Sequence, residues 1–166
     1  MSLLLSPDDF EKYHHQLRTL LVERSYQKRD VTLASGQKSD FYFDCKQTSL
    51  SAEGHFLIGQ LFAHQLASIE AETNEKHIAC AGMSIGADPL CSSLSLTGFL
   101  KDRILDSIFV RKEAKSHGTA AFLEGIERIP KSSPVILLED VITTGGSTLL
   151  AFERVKEGGF QVKHVL

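Results

Sequence analysis

Residues 135–148, VILLEDVITTGGST, join an apolar run to two adjacent acids and then to a loop of threonine, glycine and serine. Ligands of open parallel sheets bind beyond the carboxyl ends of strands, which is where Glu139 and Asp140 fall. Glycines let backbone N–H groups approach a ligand, and the start of a following helix attracts anions. The loop therefore predicts a phosphate cradle that needs no lysine. Its members are Thr143, Thr144, Gly145, Gly146 and Ser147.

The acidic pair indicates that the ligand is more than a phosphate group. Glu139 and Asp140 would repel a phosphate that bound alone, so they indicate a ligand that also offers hydroxyl groups or a metal ion. A ribose 5-phosphate fits, with its hydroxyls on the acids and its phosphate on the loop. The simpler alternative is that the pair only ends a strand at the protein surface. Joined to the glycine-rich loop, the pair favours the sugar-phosphate site, with Asp140 also a catalytic candidate.

The same segment resembles the phosphoribosyl-pyrophosphate motif of the type I phosphoribosyltransferases, in which an apolar strand precedes two acids, two apolar residues and a Thr/Gly loop. It lacks the Gly-Lys-Ser/Thr ending of a Walker A loop. The resemblance implies 5-phosphoribosyl 1-pyrophosphate as a ligand. It also implies Mg²⁺, bound mainly through pyrophosphate and ribose oxygens rather than by direct side-chain ligation.

A second segment, residues 111–119 (RKEAKSHGT), carries four groups that are or can be cationic. Taken alone, such a run is usually a solvated surface. Its spacing resembles the R-K-x-x-K-x-H-G loop of orotate phosphoribosyltransferases. That resemblance implies a mobile loop that closes over the active site, commonly across the interface of a homodimer.

The chemistry of the family explains why cations are useful in this loop. Charge grows on the pyrophosphate leaving group as its bond to ribose breaks, and cations stabilise that charge. Lys115 and Lys112 are the leading catalytic candidates, and Arg111 is expected to position phosphate. His117 either donates to a pyrophosphate oxygen or has only a structural role.

Residues 32–44 (TLASGQKSDFYFD) resemble the family's N-terminal hairpin, which forms a hood over the flat pyrimidine. Tyr42 and Phe43 are candidates for contact with the orotate ring, or are simply alternating residues of a hairpin. Some family members have lysine where this chain has Ala34. The corresponding contact is then absent, or is supplied by Lys38 or another group.

Residues 81–89 (AGMSIGADP) sit where the family has its pyrophosphate loop, which contains a lysine in some members and none here. The loop is therefore expected to bind through backbone N–H groups and Ser84, with Mg²⁺ sharing the charge.

The elements that must position these residues follow from periodicity and helix-start signals. Helices are expected after Ser6 and near Ser51, over 88–96 and over 147–157, with Phe56 among the inward residues of the second. Strands are expected at 31–33, 41–45, 77–82, 107–111, 135–138 and 160–166. This alternation predicts an α/β fold with a mostly parallel sheet flanked by helices. The family resemblance implies that this is the type I phosphoribosyltransferase fold with its N-terminal hood hairpin.

Length and composition limit the classes of function. The 166 residues fit a single domain over 1–166, and the net charge of −3 argues against a nucleic-acid partner. No apolar run approaches the roughly 18 residues of a membrane span, and the N-terminus does not resemble a secretory signal. Three widely spaced cysteines are expected to be reduced, in a cytoplasmic protein. Family members continue beyond the final strand, so the chain is expected to lack the family's C-terminal segment.

The leading hypothesis is an enzyme that joins orotate to phosphoribosyl pyrophosphate, giving orotidine 5'-monophosphate and pyrophosphate. Two alternatives remain open from the sequence: a phosphoribosyltransferase for another base, and a non-catalytic regulator that binds phosphoribosyl pyrophosphate. The basic loop argues against a purine substrate, and the acidic net charge argues against a regulator that binds RNA or DNA.

Overall fold

The computed structural model describes residues 2–32, 36, 38–114 and 122–166. Helices and strands alternate along most of this part of the chain. In chain order the elements are α1 (Pro7–Arg24), β1 (Tyr26–Gln27), β2 (Val31–Thr32), β3 (Lys38–Ser39), β4 (Tyr42–Phe43), α2 (Lys46–Ser49), α3 (Ala52–Thr73), β5 (Ala79–Met83), α4 (Asp88–Leu100), β6 (Asp106–Val110), β7 (Leu123–Glu124), β8 (Pro134–Leu138), α5 (Gly146–Glu157) and β9 (Gln161–Val165).

The central sheet has five strands in the order β7-β6-β5-β8-β9. β5 pairs in parallel with both β6 and β8, β8 pairs in parallel with β9, and β7 is antiparallel to β6. The predicted mostly parallel sheet is therefore confirmed. Because the strands are parallel, β5, β6 and β8 all end at the same edge of the sheet.

Helices cover both faces of this sheet, as buried parallel strands require. Ile136 and Leu138 of β8 pack with buried residues of α3 and α4, including Leu66 and Leu94. The alternate residues of β8 pack on the opposite face with α5, where Val155 is fully buried. The core thus holds the carboxyl end of β8 rigidly between two layers.

Two serines start the long helices as the sequence predicts. The Ser6 hydroxyl accepts a hydrogen bond from the backbone N–H of Asp9, and the Ser51 hydroxyl accepts one from Gly54. One predicted inward residue is wrong: Phe56 is half exposed and makes an edge-to-face contact with Tyr13 on α1.

The N-terminal strands pair differently from the predicted hairpin. β2 pairs with β3, on either side of Gly36, whereas β4 pairs with β1. The strand predicted over 41–45 is therefore not the partner of the strand at 31–33. Each pairing involves two residues per strand, which is too short for a periodic sequence signal.

The three cysteines are free thiols, with Cys80 and Cys91 buried. Within the described ranges, none of the helices is both long enough and apolar enough to cross a membrane.

Candidate active site

A cleft of about 400 Å³ opens at the edge where β5 and β8 end. It brings together residues from the 83–86 loop, the end of β8, the start of α2, the segment after β6 and the start of α5. Its lining residues are Lys46, Met83, Ser84, Ile85, Gly86, Lys112, Glu139, Asp140, Val141 and Ser147. The predicted site residues Glu139, Asp140, Ser147 and Lys112 therefore meet in one place.

Glu139 is half-buried and held in position. Its carboxylate accepts a hydrogen bond of 2.9 Å from the Thr148 hydroxyl, and its backbone N–H donates to Leu166 at 3.0 Å. Burial raises the pKa of Glu139, the neighbouring Asp140 raises it further, and the Thr148 hydrogen bond opposes both. Ionising both adjacent carboxylates therefore costs free energy. A ligand whose hydroxyl groups donate hydrogen bonds to them would reduce that cost.

Replacing Glu139 with Gln is expected to raise the thermal midpoint at neutral pH. Since the folded-state pKa of Glu139 lies above its unfolded value, its favourable contribution exists at low pH and is lost as the pH rises through the folded-state pKa. Gln keeps an acceptor for Thr148 without the charge. Thermal unfolding should show a gain of a few degrees near neutrality that disappears below about pH 4, where carboxyl groups are protonated. A gain of equal size at both pH values would contradict this origin.

Asp140 lies against the backbone of the 83–86 loop. A Cβ atom added to Gly86 would sit 2.5 Å from the Asp140 Oδ1 atom, so glycine permits this close approach. On the other side, the Cys45 thiol lies 3.6 Å from the Asp140 carbonyl oxygen. Burial, followed by the charges of Asp140 and Asp44, raises the pKa of Cys45 to about 11, so the thiol is protonated at neutral pH.

The glycine-rich loop leads into α5 as the sequence predicts. Gly145 has a φ of 77° immediately before α5, and no side chain caps the helix start. Backbone N–H groups of the first turn are therefore directed toward the cleft edge, where Ser147 lies. Thr143 and Thr144 are exposed on the approach to this turn. An anion bound here would be stabilised by the helix dipole.

The segment after β6 contributes one cation to the cleft lining and a second nearby. Lys112 lines the cleft, whereas Arg111 lines an adjacent depression and forms an ion pair with Glu124 at 3.1 Å. Arg111 is thus not among the cleft-lining residues in this structure. Lys115 and His117 lie outside the described residues.

Arg154 of α5 contacts the chain on both sides of the basic loop, at residues 111–112 and at Phe122, and was not identified from the sequence. Its guanidinium donates to the carbonyl of Arg111 and, at 3.1 Å, to that of Lys112. It also lies 4.0 Å from the ring centroid of Phe122. Nothing in the local pattern of an amphipathic helix distinguishes this arginine from a solvated one.

Lys46 lines the cleft and was not identified from the sequence. It begins α2, and its ammonium lies 2.7 Å from the Asp44 carboxylate. The hydrogen bond to Asp44 raises the pKa of Lys46, so it is a cation at neutral pH. Its sequence signal is its position shortly after the end of a strand, which is also where Glu139 lies. Lys46 supplies a positive charge beside the lysine-free 83–86 loop.

The hairpin residues occupy a different part of the surface. Lys38 lines a separate cavity of about 440 Å³ between β2 and β3. The Arg29 guanidinium lies 4.6 Å from the centroid of the Tyr42 ring, and Phe43 is partly exposed. None of Lys38, Tyr42 and Phe43 is among the residues that line the cleft at Asp140.

The chain is similar to orotate phosphoribosyltransferases in both sequence and structure. No family model matches the chain. It is 46% identical to an orotate phosphoribosyltransferase of Sorangium cellulosum, over 91% of this chain and 76% of that protein. It is 45% identical to an orotate phosphoribosyltransferase of Thermosynechococcus vestitus, with the same coverage of both chains.

The fold of the chain is also similar to solved structures of orotate phosphoribosyltransferases. A crystal structure of Mycobacterium tuberculosis orotate phosphoribosyltransferase superposes with a TM-score of 0.75 at 31% identity, covering 92% of this chain and 81% of that chain. The same protein in complex with 5-phospho-alpha-D-ribosyl 1-diphosphate superposes with a TM-score of 0.69 at 27% identity, covering 92% and 80%. A yeast adenine phosphoribosyltransferase, at 20% identity, shares the fold.

Proposed function

The chain belongs to the orotate phosphoribosyltransferase family, and on that premise we propose that the cleft around Glu139 and Asp140 is its active site. The enzyme transfers the phosphoribosyl group of 5-phosphoribosyl 1-pyrophosphate to orotate, giving orotidine 5'-monophosphate and pyrophosphate in pyrimidine synthesis. One observation carries the placement of the site: the acidic pair and the uncapped start of α5 meet at the same edge of the sheet.

Two parts of the cleft bind the sugar phosphate, one the phosphate group and the other the ribose. The 5'-phosphate accepts hydrogen bonds from the N–H groups of residues 145–147 and from the hydroxyls of Thr143, Thr144 and Ser147. The helix dipole favours an anion at this position. The ribose hydroxyls donate to Glu139 and Asp140. Donation to both carboxylates offsets the burial of Glu139 and the repulsion by Asp140, which together raise the pKa of Glu139.

The pyrophosphate lies against the 83–86 loop, where Ser84 and backbone N–H groups offer donors. Lys46 and Lys112 line the same cleft and supply positive charge to the leaving group. As the bond to ribose lengthens, charge on the departing oxygen grows, and fixed cations stabilise that state more than the ground state. Lys115, Arg111 and His117 would add to this effect when the basic loop closes.

Mg²⁺ fits the same cleft. It prefers oxygen ligands and usually combines one or two carboxylates with substrate phosphates and water. Pyrophosphate and ribose oxygens would hold the ion in the main, beside the half-buried acidic pair that lines the cleft. When bound, the ion neutralises charge on the leaving pyrophosphate, while Glu139 and Asp140 orient the ribose.

The N-terminal hairpin is proposed to hold the base. Orotate is a flat anion, and Tyr42 and Phe43 offer aromatic surface while Lys38 offers a cation. The loop between β2 and β3 carries Gly36 with a φ of 84°, a conformation that favours glycine. Selection of orotate over purines is thus assigned to a part of the chain distinct from the sugar-phosphate site.

A homodimer completes the proposal. Leu96, Phe99 and Leu100 are between 58% and 70% exposed at the end of α4, and Ile104 is 71% exposed just beyond it. Their spacing of three and four residues places the helical members on one face. Apolar patches of this kind mark protein interfaces, and the family resemblance implies a dimer in which each basic loop acts on the partner's cleft. The three free thiols favour a cytoplasmic location.

The assignment is tested by following the loss of orotate absorbance with phosphoribosyl pyrophosphate and Mg²⁺. We expect turnover by the wild type. Replacing Asp140 with Asn should weaken binding of phosphoribosyl pyrophosphate about 10- to 100-fold, the value of a hydrogen bond to a charged group. Asp106→Asn is the matched control, because this exposed aspartate begins β6 at the opposite end of the sheet.

Three results would contradict the assignment. An unaltered binding constant in Asp140→Asn would remove the ribose role of that residue. Turnover with adenine but not with orotate would favour the other-base alternative. Tight binding of phosphoribosyl pyrophosphate without turnover of any base would favour the non-catalytic regulator.

A further inference from the structure

Three side chains with metal-binding atoms converge away from the cleft. Glu75 follows α3, His77 precedes β5, and His164 lies in β9. One carboxylate oxygen and two imidazole nitrogens from these residues all lie within 4.8 Å of one another. None of the three residues lines the cleft around Asp140, so the proposed transfer reaction does not account for the cluster.

The two imidazoles face each other at a separation that suits a shared ion. His77 Nε2 and His164 Nδ1 are 3.3 Å apart, and the ring planes meet at 75°. In a tetrahedral zinc site with Zn–N bonds of about 2.0–2.1 Å, two ligand nitrogens are separated by roughly 3.3 Å. A direct N–H···N hydrogen bond at the same distance would be long.

A part-buried carboxylate, that of Glu70, lies beside the His77 ring. His77 is 1% exposed, and its Nδ1 atom lies 3.5 Å from the Glu70 carboxylate. Glu70 is itself held by the backbone N–H of His77 at 2.7 Å and by the Arg103 guanidinium at 3.0 Å. The Nδ1 atom is buried and has no hydrogen-bond partner among the described residues, and the Nε2 atom faces His164. A carboxylate behind a histidine is the usual arrangement around metal-binding imidazoles.

An irregularity in β9 brings His164 to this side of the sheet. Val135 pairs with Val162 and Leu137 with Val165, so two steps on β8 correspond to three on β9. Val162 consequently packs with the α5 side of the core, while Leu166 packs with the α3 side. His164 is two residues before Leu166, so it lies on the same face of the strand and faces His77. Bulges commonly redirect a side chain in this way.

We propose that Glu75, His77 and His164 form a binding site for a divalent transition-metal ion, with Zn²⁺ the best fit. Two imidazoles and one carboxylate are a recognised zinc ligand set that leaves the fourth position to water. One of the two Glu75 carboxylate oxygens accepts a hydrogen bond from Lys163 at 2.7 Å. The ion would tie the edge strand β9 to the junction of α3 and β5 and thereby stabilise the fold.

The test uses the full chain, freed of metal with a chelator and titrated calorimetrically with Zn²⁺. The wild type should bind one equivalent, and the Co²⁺ form should show the intense visible absorption of a tetrahedral ion. His164→Ala should abolish this equivalent, and Glu75→Gln should weaken its binding by at least about 10-fold. Zn²⁺ should raise the thermal midpoint of the wild type but not of His164→Ala.

Two control variants identify the site. His15→Ala removes an exposed histidine of α1, and Asp140→Asn removes a carboxylate of the cleft; both should keep the zinc equivalent. His164→Ala should retain orotate turnover, which separates this proposal from the assignment of the active site. Equal Zn²⁺ binding by the wild type and His164→Ala, loss of binding only in Asp140→Asn, or no stoichiometric binding would each overturn the proposal.

Discussion

Replacing Gly86 with Ala is expected to lower kcat/KM by about 100-fold, because misplacing a binding group by about 1 Å has an effect of that size. The added Cβ would sit 2.5 Å from Asp140 Oδ1 and 2.9 Å from its carboxyl carbon. The carboxylate must therefore swing away from the position in which it is proposed to bind the ribose. Gly86 lies in a half-exposed loop, so the thermal midpoint should change little.

A double-mutant cycle separates this mechanism from general damage to the loop. If Gly86→Ala acts by displacing Asp140, then Gly86→Ala combined with Asp140→Asn should be little worse than the more damaging single variant. Steady-state kinetics and thermal unfolding of all four proteins provide the data. Fully additive losses, or an unchanged kcat/KM in Gly86→Ala, would show that the close approach has no role in catalysis.

Lys115→Ala should reduce kcat by at least about 100-fold, the scale of losing one preorganised charge-stabilising contact. Lys115 lies outside the described residues, but it follows Lys112, which lines the cleft. Steady-state turnover of orotate measures the loss. Lys12→Ala, which removes a lysine exposed on α1, is the matched control and should retain wild-type kcat. A kcat within threefold of wild type in Lys115→Ala would mean that another cation carries the role.

The same variant tests whether the basic loop acts on the partner's cleft. When Lys115→Ala and Asp140→Asn proteins are mixed and allowed to exchange subunits, half of the dimers contain one copy of each. With a shared loop, one site in each mixed dimer combines an intact cleft with an intact loop, restoring about a quarter of wild-type activity. If the loop serves its own subunit, no intact site forms and activity stays at the level of the separate variants.

The main helices and the sheet were predictable because their signals are local. Ser6 and Ser51 cap helices where the sequence places them, and the apolar runs before Gly82 and Glu139 form the strands β5 and β8. Since the carboxyl ends of parallel strands meet at one edge, the position of the cleft followed as well. The structure also places Lys112, which follows a different strand, in the lining of this cleft.

Features that depend on distant contacts were not predictable from local patterns. The two-residue strands β1, β3 and β7 exist through their partners and carry no periodic signal. The exposure of Phe56 depends on how α1 lies against α3. The contribution of Lys46 depends on where α2 lies relative to the 83–86 loop, and the roles of Lys115 and His117 stay predictions.

Helix α5 connects two parts of the site that are far apart in the sequence. Its first turn is the proposed phosphate site, and two turns later Arg154 donates hydrogen bonds to the backbone carbonyls of Arg111 and Lys112. Seven residues of helix make a stiff rod of about 10 Å between them. The proposed phosphate site and the backbone at residues 111 and 112 are therefore joined by one stiff helix, so a tilt of α5 would move both together.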